Sequence, residues 1–271
     1  MGGGGMSRVF EAEECAFGRR VVLKVLPPEM AVSISSERFR REIQLAARLR
    51  HPHIVPLFGA GEAAEMLYYT MPFIEGESLR ARLERERRLP VAEAVTIARE
   101  VADALDYAHR QGVIHRDIKP DNILLESGHA VVADFGIALA VSQAAGYRSL
   151  TSTGLSVGTP FYMSPEQAGG ERDLDARSDV YSLGCVLFEM LVGDPPFTGP
   201  NAQSVIVQHF TDKPPRIRAL CEGVPASLEH VVNRALAKKP EDRYATANDL
   251  RAALGDIGDE DRAERRSVQE Q

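Results

Sequence analysis

The chain has 271 residues, of which 44% are hydrophobic and 26% are charged, and its formal net charge is −7. This balance is typical of a soluble globular protein and excludes a disordered or fibrous chain. The negative charge, without a long basic block, argues against general nucleic-acid binding. The three cysteines, Cys15, Cys185 and Cys221, form no close pair, which argues against a disulfide framework and favours a reducing compartment.

The sequence contains no pattern that is typical of secretion or membrane insertion. Met1 is followed by four glycines instead of a basic and then an apolar segment. The longest apolar stretch, 181–192, contains Glu189 and is too short to cross a bilayer as a helix. We therefore expect a cytoplasmic chain without a membrane span.

The first third of the chain has the pattern of strands with one helix. The β-branched run 20–26 predicts a strand that two prolines end. A serine pair that can cap a helix precedes apolar residues at helical spacing, which predicts a helix that ends near Arg50. Two further apolar runs, 54–59 and 66–74, predict strands.

From residue 77 onward the pattern becomes helical. The segment 90–109 carries its apolar residues on one stripe, with a proline at its start and a glycine past its end. The runs 123–125 and 130–133, separated by a Glu-Ser-Gly turn, predict a β-hairpin. Residues 143–160 are rich in Gly, Ser and Thr without periodicity, which predicts a long loop. Further helices are predicted over 178–192, 201–210, 226–238 and 246–254.

Two charged segments flank part of this helical region. Arginines at positions 80, 82, 85, 87 and 88 are interleaved with Glu84 and Glu86, so we interpret them as a solvated face rather than a site for an acidic partner. The polar, charged sequence 255–271 predicts a flexible tail. The whole pattern predicts an α+β fold, with a small β-rich lobe over 1–74 and a larger helical lobe over 75–254.

Polar residues with the chemistry of phosphoryl transfer follow the predicted 90–109 helix. The loop 115–122, with the sequence HRDIKPDN, is followed by Asp134-Phe135-Gly136 at the end of the predicted hairpin. Phosphoryl transfer needs a base for the attacking hydroxyl, a cation on the moving phosphoryl group and two oxygen ligands for Mg²⁺. A loop and a returning hairpin can bring these groups within a few ångströms of one another.

These motifs resemble those of Hanks-type (eukaryotic-like) serine/threonine protein kinases, most closely the bacterial branch. The HRDxKPxN and DFG motifs, in this order and spacing, are strongly specific, and the resemblance covers nearly all of residues 2–254. It implies the two-lobe kinase fold and a kinase domain over 1–254. It implies that Asp117 is the catalytic base and that Lys119 steadies the γ-phosphate, while Asn122 and Asp134 bind Mg²⁺.

The resemblance also implies a phosphate-binding lysine in the smaller lobe. The sequence VVLK over 21–24 matches the strand that presents this lysine, Lys24, with Val22 where the family usually has alanine. Glu42, on the predicted helix, matches the carboxylate that pairs with the lysine in active kinases. Glu37 is an alternative on the same helix.

The first residues resemble the glycine-rich loop of bacterial kinases, GxGGMSxVF, whose backbone N–H groups cover the phosphates. A serine replaces the third glycine, and the first half of the strand that normally precedes the loop has no counterpart, so we expect a truncated first strand. Taken alone, four glycines after Met1 also fit a disordered start or an expression scar. The residues that the resemblance places at ATP here are Gly2, Gly4, Gly5, Met6, Ser7 and Val9.

The sequence MPFI over 71–74 matches the hinge between the lobes, with Met71 as the gatekeeper. In the family the hinge offers adenine a carbonyl and, two residues later, an N–H group. Pro72 retains the carbonyl and Ile74 retains the N–H. Ser78 matches a ribose contact and Leu124 the floor of the adenine pocket, although both residue types are also common as caps or packing residues.

Residues 134–166 resemble an activation segment that ends in Ser-Pro-Glu, where Ala-Pro-Glu is commoner. Thr159 matches the threonine that bonds the catalytic Asp and Lys in serine/threonine kinases. Asp179 resembles the buried aspartate that caps the catalytic-loop backbone. Arg243 matches the arginine that pairs with Glu166, and both of these roles are structural.

Two threonines within this segment, Thr151 and Thr153, match autophosphorylation sites of bacterial relatives. Ser152 and Ser156 are alternatives. A phosphate here would add about −2 charge and could pair with Arg116, which would order the loop.

Two other classes remain as alternatives on the sequence: a kinase-like scaffold without catalysis and a small-molecule phosphotransferase. Scaffolds of this kind commonly lack the strand lysine or one of the two aspartates, and none of these is missing here. Small-molecule phosphotransferases usually lack the Ser-Pro-Glu type of segment with its paired arginine. We therefore expect an ATP- and Mg²⁺-dependent kinase that phosphorylates Ser and Thr in proteins and its own activation segment, with homodimerisation as one route to phosphorylation between two copies.

Overall fold

The computed structural model describes residues 8–26, 43–64, 66–135, 160–171 and 173–257. Nearly all of the predicted loop 143–160, the first half of the predicted first helix and the tail from residue 258 lie outside these ranges. The described part of that helix ends at Ala46, four residues before the predicted end at Arg50. Among the described residues, helix length and apolarity never reach what a membrane crossing requires.

The small lobe is an antiparallel sheet of four strands, in the order β1-β2-β4-β3. Its register places Lys24 opposite Val9 on one neighbouring strand and opposite Tyr69 on the other, so that these side chains share one face. The strand predicted over 20–26 is confirmed, and the one predicted over 66–74 ends two residues early. The bounds are β1 (Arg8–Glu14), β2 (Arg19–Val25), β3 (Gly59–Ala63) and β4 (Met66–Pro72).

The strand predicted over 54–59 is wrong in its position. Ile54 forms an isolated parallel bridge with Val132, residues 55–58 have no regular structure, and β3 begins only at Gly59. Pro56 has no N–H group to donate to a ladder, which interrupts the strand. The sequence of β3, GAGEA, has no apolar alternation from which a strand could be predicted.

The larger lobe is helical around one small sheet of order β5-β6-β7. The predicted hairpin and the helices predicted over 90–109, 178–192 and 201–210 are confirmed within two residues. The bounds are β5 (Glu77–Ser78), α1 (Leu79–Glu86), α2 (Val91–Arg110), a 3-10 turn (Pro120–Asn122), β6 (Ile123–Glu126), β7 (His129–Val132), α3 (Pro165–Ala168), α4 (Ala176–Val192), α5 (Ala202–Thr211), α6 (Ile217–Leu220), α7 (Ala226–Ala235), a second 3-10 turn (Pro240–Asp242) and α8 (247–257).

Two of these helices end away from their predicted positions. Helix α7 ends three residues before 238, and the chain is extended at Lys239, as the residue before a proline prefers. Helix α8 continues three residues past 254, because Ile257 packs into the core with 4% exposure.

Helix α4 forms the centre of the larger lobe, since every residue from Ser178 to Leu191 is buried. The apolar side of α2 packs in the same core. A second, smaller core lies under the four-stranded sheet and includes Val131 and Ala133 at the end of the hairpin. The hairpin therefore contributes to both cores, which fixes the residues that follow it between the lobes.

The basic segment on α1 is only partly the solvated face that the sequence predicts. Arg85 is 53% exposed and pairs with Glu77. Arg80, in contrast, donates to the buried carboxylate of Glu189 at 2.8 Å and to the hydroxyl of Tyr162, which itself donates to Glu189. The prediction is wrong for Arg80, because the sequence of a helix only eight residues long does not reveal which side of it meets α4.

Candidate active site

The loop between α2 and β6 brings three polar side chains together. Lys119 Nζ lies 2.7 Å from Asp117 Oδ2. Asn122 donates from Nδ2 to the backbone carbonyl of Asp117 at 2.8 Å and to Asp117 Oδ2 at 3.1 Å. The 3-10 turn that contains Asn122 makes these contacts possible, because it folds the amide back over the loop. The three predicted catalytic residues thus form one cluster.

A buried aspartate in the first turn of α4 accepts hydrogen bonds from the backbone of this loop. The carboxylate of Asp179 accepts the backbone N–H groups of His115 and Arg116, both at 2.8 Å, and the ring N–H of His109 at 2.7 Å. Burial alone would raise the pKa of Asp179, but the bond from His109 and the backbone donors lower it below its ordinary value. Asp179 therefore stays ionised and fixes the loop backbone at the two residues before Asp117.

His115 joins the loop to the end of the hairpin. Its ring donates from Nε2 to the carbonyl of Ala133 at 2.9 Å, while Nδ1 accepts the N–H of Asp117 at 3.2 Å. The ring of Phe135 lies edge-on to the same imidazole, with 4.7 Å between ring centroids. These contacts hold Asp134, between Ala133 and Phe135, at a fixed position relative to Asp117.

Asp134 receives two bonds from the small lobe. Lys24 forms an ion pair with its Oδ2, and both side chains are 16% exposed. The hydroxyl of Tyr69 donates to Oδ1 at 3.0 Å. The backbone of Asp134 has φ +68°, a conformation that Asp adopts more readily than most residues. The pKa of Tyr69 is well above its usual value, first because of burial and then because of the nearby carboxylates of Asp134 and Asp117.

The donor set fits magnesium. Asp134 offers carboxylate oxygens, and Asn122 uses its amide nitrogen for its bonds among the described residues, which leaves the amide oxygen available. Within the described ranges, no three His, Cys, Asp or Glu side chains cluster so that they could hold a metal by themselves. Mg²⁺ is usually held by one or two carboxylates together with substrate phosphates, so one carboxylate and one amide oxygen fit the part of the shell that the protein would supply.

The residues expected at adenine lie in one apolar cluster. Met71 is 4% exposed in the core under the small sheet, and Val22, Ile74 and Leu124 pack against that core. Ser78 caps helix α1, accepting the N–H of Ala81 at 3.2 Å, and lies opposite Leu124 in the sheet of the larger lobe. Pro72 ends β4 and pairs with Val21. The structure therefore brings the predicted gatekeeper, hinge and pocket floor to the face of the sheet that carries Lys24.

Some predicted residues lie outside the described ranges, so the predictions for them stay predictions. One of them is Glu42, the predicted partner of Lys24. Among the described residues, Lys24 pairs with Asp134. The predicted residues concerned are Gly2, Gly4, Gly5, Met6, Ser7, Glu37, Glu42, Thr151, Ser152, Thr153, Ser156 and Thr159.

The end of the predicted activation segment, at Glu166, and the residue after it are hydrogen-bonded to other parts of the larger lobe. Arg243 binds both oxygens of Glu166, at 2.7 and 2.8 Å, and Ser178 donates to Glu166 at 2.6 Å. Burial would raise the pKa of Glu166, but the bonds from Arg243 and Ser178 lower it. Gln167 Nε2 donates to the carbonyl of Arg116 at 2.8 Å, which links this segment to the catalytic loop. The pairing predicted for Glu166 and Arg243 is present.

Tyr69 and Gln167 take part in the site although they are absent from the sequence prediction. Tyr69 lies in the apolar run LYYTM, where an aromatic residue is ordinarily a core residue. Gln167 directly follows the Ser-Pro-Glu motif, which is the one signal that could have identified it. The partner of each residue is in a segment distant in sequence, so local pattern does not reveal which residue it contacts.

Comparison with known proteins agrees with this geometry. A profile of the protein kinase domain matches residues 1–253. The chain belongs to this family. It is 45% identical to the serine/threonine-protein kinase PknB of Mycobacterium tuberculosis and 44% identical to PknB of Mycobacterium leprae, over 260 residues each, which is 94% of this chain. It is 42% identical to PknD of Mycobacterium tuberculosis over 259 residues. The chain spans only 41% of the length of the PknB proteins and 38% of that of PknD.

Proposed function

We propose that this kinase domain transfers the γ-phosphoryl group of ATP to Ser and Thr hydroxyls of proteins, with Mg²⁺. The observation that carries the proposal is the cluster of Asp117, Lys119 and Asn122 beside Asp134 and Lys24. Phosphoryl transfer requires these groups to be positioned together, since the protein contributes mainly positioning and charge. The names of the mycobacterial relatives support Ser and Thr as acceptors.

In this proposal Asp117 orients the acceptor hydroxyl and receives its proton. Lys119 and Asn122 both bond Oδ2 of Asp117, and the side chain is 44% exposed. The other oxygen, Oδ1, has no hydrogen bond among the described residues. It can accept a hydrogen bond from a hydroxyl of solvent or substrate. Lys119, held beside this carboxylate, places a positive charge where the phosphoryl group moves.

The nucleotide is held from both lobes. Lys24 binds the phosphates, and the apolar cluster around Met71 takes adenine, with the Pro72 carbonyl and the Ile74 N–H as its hydrogen-bond partners. Asn122 and Asp134 would hold Mg²⁺, whose charge would offset the repulsion between the phosphates and the carboxylates of Asp117 and Asp134.

We infer that phosphorylation of Thr151 or Thr153 regulates the domain. The Nε of Arg116 is buried and has no hydrogen-bond partner among the described residues. A buried guanidinium nitrogen without a partner is costly, and a phosphate is a strong partner for it. In a homodimer, each copy can phosphorylate the activation segment of the other.

The test is phosphate incorporation from Mg²⁺-ATP into the purified chain, with mapping of the modified residues. We expect phosphate on Thr151 or Thr153 in the wild type. Asp117→Asn should still bind nucleotide but lower turnover by about 10² or more. Asp121→Asn, in the same loop and 53% exposed, is the matched control and should retain turnover.

Equal turnover of Asp117→Asn and the wild type would contradict the assignment of the base. Nucleotide binding without any incorporation, either into the chain or into a generic Ser/Thr substrate, would favour the non-catalytic scaffold.

A further inference from the structure

Both oxygens of Asp134 are bonded to side chains from the sheet of the smaller lobe. Lys24 on β2 pairs with Oδ2, and Tyr69 on β4 donates to Oδ1 at 3.0 Å. These two residues are opposite each other in the register of β2 and β4, so their side chains leave the same face side by side. The carboxylate of Asp134 therefore lies between two donors that a single rigid pair of strands presents.

The tyrosine hydroxyl is a fixed donor. The side chain of Tyr69 is in the core under the small sheet and the residue is 2% exposed. A phenolic hydroxyl in such a position needs a hydrogen-bond partner, because an unpaired buried hydroxyl is costly. Asp134 is its partner, and packing around the ring fixes the direction from which the bond comes.

We propose that Tyr69 is a positioning residue that holds the side chain of Asp134 in the orientation for binding Mg²⁺. The proposal rests on the proposed function, in which Asp134 is a metal ligand. Hydrogen bonds to a ligating carboxylate orient it, and each carboxylate oxygen has a further lone pair for the metal. The hydroxyl of Tyr69 thus fixes Oδ1 without consuming its capacity to bind an ion.

The two donors differ in whether their bond to Asp134 depends on the nucleotide. The ammonium of Lys24 has a second task in the proposed function, since it binds the phosphates. The hydroxyl of Tyr69 is neutral and far less suited to phosphate, so its bond does not depend on the nucleotide. Tyr69 is therefore the contact from the small lobe that keeps Asp134 oriented when Lys24 engages ATP.

The test measures binding of a non-hydrolysable ATP analogue with Mg²⁺ and, separately, in EDTA, by calorimetric titration. We expect Tyr69→Phe to weaken the Mg²⁺-dependent part of the affinity by about tenfold, as loss of an outer-shell partner does, and to leave affinity in EDTA unchanged. In an Asp134→Asn background, Tyr69→Phe should have no further effect on the Mg²⁺-dependent part.

The matched control is Tyr68→Phe. Tyr68 is the neighbour of Tyr69 on β4 and points to the opposite face, where its ring lies against Gly61. Tyr68→Phe should have the same affinity for the analogue as the wild type, both with Mg²⁺ and in EDTA. Thermal unfolding of the two variants shows whether either has lost general stability.

The outcomes separate two failures. If the wild type binds the analogue equally with and without Mg²⁺, the metal site of the proposed function is wrong, and the role of Tyr69 is overturned with it. If the wild type depends on Mg²⁺ and Tyr69→Phe has the same dependence, or loses affinity equally in EDTA, the role of Tyr69 alone is overturned. Tighter Mg²⁺-dependent binding by Tyr69→Phe would also overturn it, because the hydroxyl would then compete with the ion.

Discussion

Arg243 binds Glu166 through both carboxylate oxygens across 77 positions of the chain. The same guanidinium donates to the carbonyls of Ala237, Lys238 and Arg177. One side chain thus connects the start of α3, the start of α4 and the loop after α7. Arg243 is 2% exposed and Glu166 is 7% exposed, so neither charge has water as an alternative partner.

Arg243→Met is expected to lower the free energy of unfolding by about 3–5 kcal/mol, because it leaves the Glu166 carboxylate buried without its cation. Urea denaturation followed by circular dichroism measures this change. Arg251→Met removes an arginine whose side chain is 40% exposed and should cost less than about 1 kcal/mol. Similar losses in the two variants would show that burial of the Glu166 pair has no special cost.

Lys24→Met is expected to weaken nucleotide binding by about tenfold or more, the scale of one lost charge-assisted bond. The change also removes the ion pair with Asp134. Fluorescence titration with a labelled ATP analogue measures the affinity. Arg20→Met, on the same strand but 52% exposed and paired with Glu11, is the control and should bind as the wild type does. Unchanged affinity in Lys24→Met would remove Lys24 from the phosphate site.

Arg80→Met is expected to destabilise the fold by about 3 kcal/mol, because the Glu189 carboxylate, 3% exposed, loses its cation. Tyr162→Phe should lower the free energy of unfolding by less, since the ion pair between Arg80 and Glu189 remains. Thermal and urea unfolding of both variants test the order. Arg85→Met, on the same helix with its side chain 53% exposed, should cost under about 1 kcal/mol. A loss in Arg80→Met no larger than that in Arg85→Met would be inconsistent with a buried ion pair.

His209 predicts a specific dependence of stability on pH. It is fully buried on α5, 2.8 Å from the hydroxyl of Tyr181. Burial, followed by the charge of Lys238, lowers its pKa to about 4, against 6.5 ordinarily. The unfolded chain therefore binds more protons between pH 6.5 and 4, and the free energy of unfolding falls as the pH drops through that window.

His209→Gln removes this titration. Between pH 7 and pH 4.5 the wild type should lose about 2 kcal/mol more than the variant, from a shift of this size. Urea unfolding at several pH values gives the difference curve. His230→Gln, at an exposed position on α7, is the control for the substitution itself. Parallel curves for the wild type and His209→Gln would mean that His209 is protonated equally in both states.

Much of the fold is predictable because its signals are local. Helix α2 carries one apolar stripe between a proline and a glycine, and the β6–β7 hairpin has a Ser-Gly turn whose two residues both have positive φ. The catalytic loop is predictable for another reason, since its chemistry requires several residue types within eight positions. Each of these features is complete within a short stretch of sequence.

What the sequence does not reveal depends on contacts between distant segments. β3 is a strand because it pairs with β4, whereas its own residues have little strand propensity. Arg80 and Arg85 have similar local surroundings in the sequence, and only the position of α4 makes one buried and the other exposed. Tyr69 belongs to the site because Asp134 arrives from 65 residues away.

The bridge at Ile54 restricts how the lobes can move. Val55 donates to the carbonyl of Val132, and Val132 donates to the carbonyl of His53, both at 2.9 Å, so the small lobe has a second backbone attachment besides the chain after Pro72. A body attached at two points turns about the line through them. Asp134, two residues from one attachment, lies near this axis, whereas β1 lies two strands, about 10 Å, from β4. If the smaller lobe turns about this line, β1 moves farther than Asp134 does.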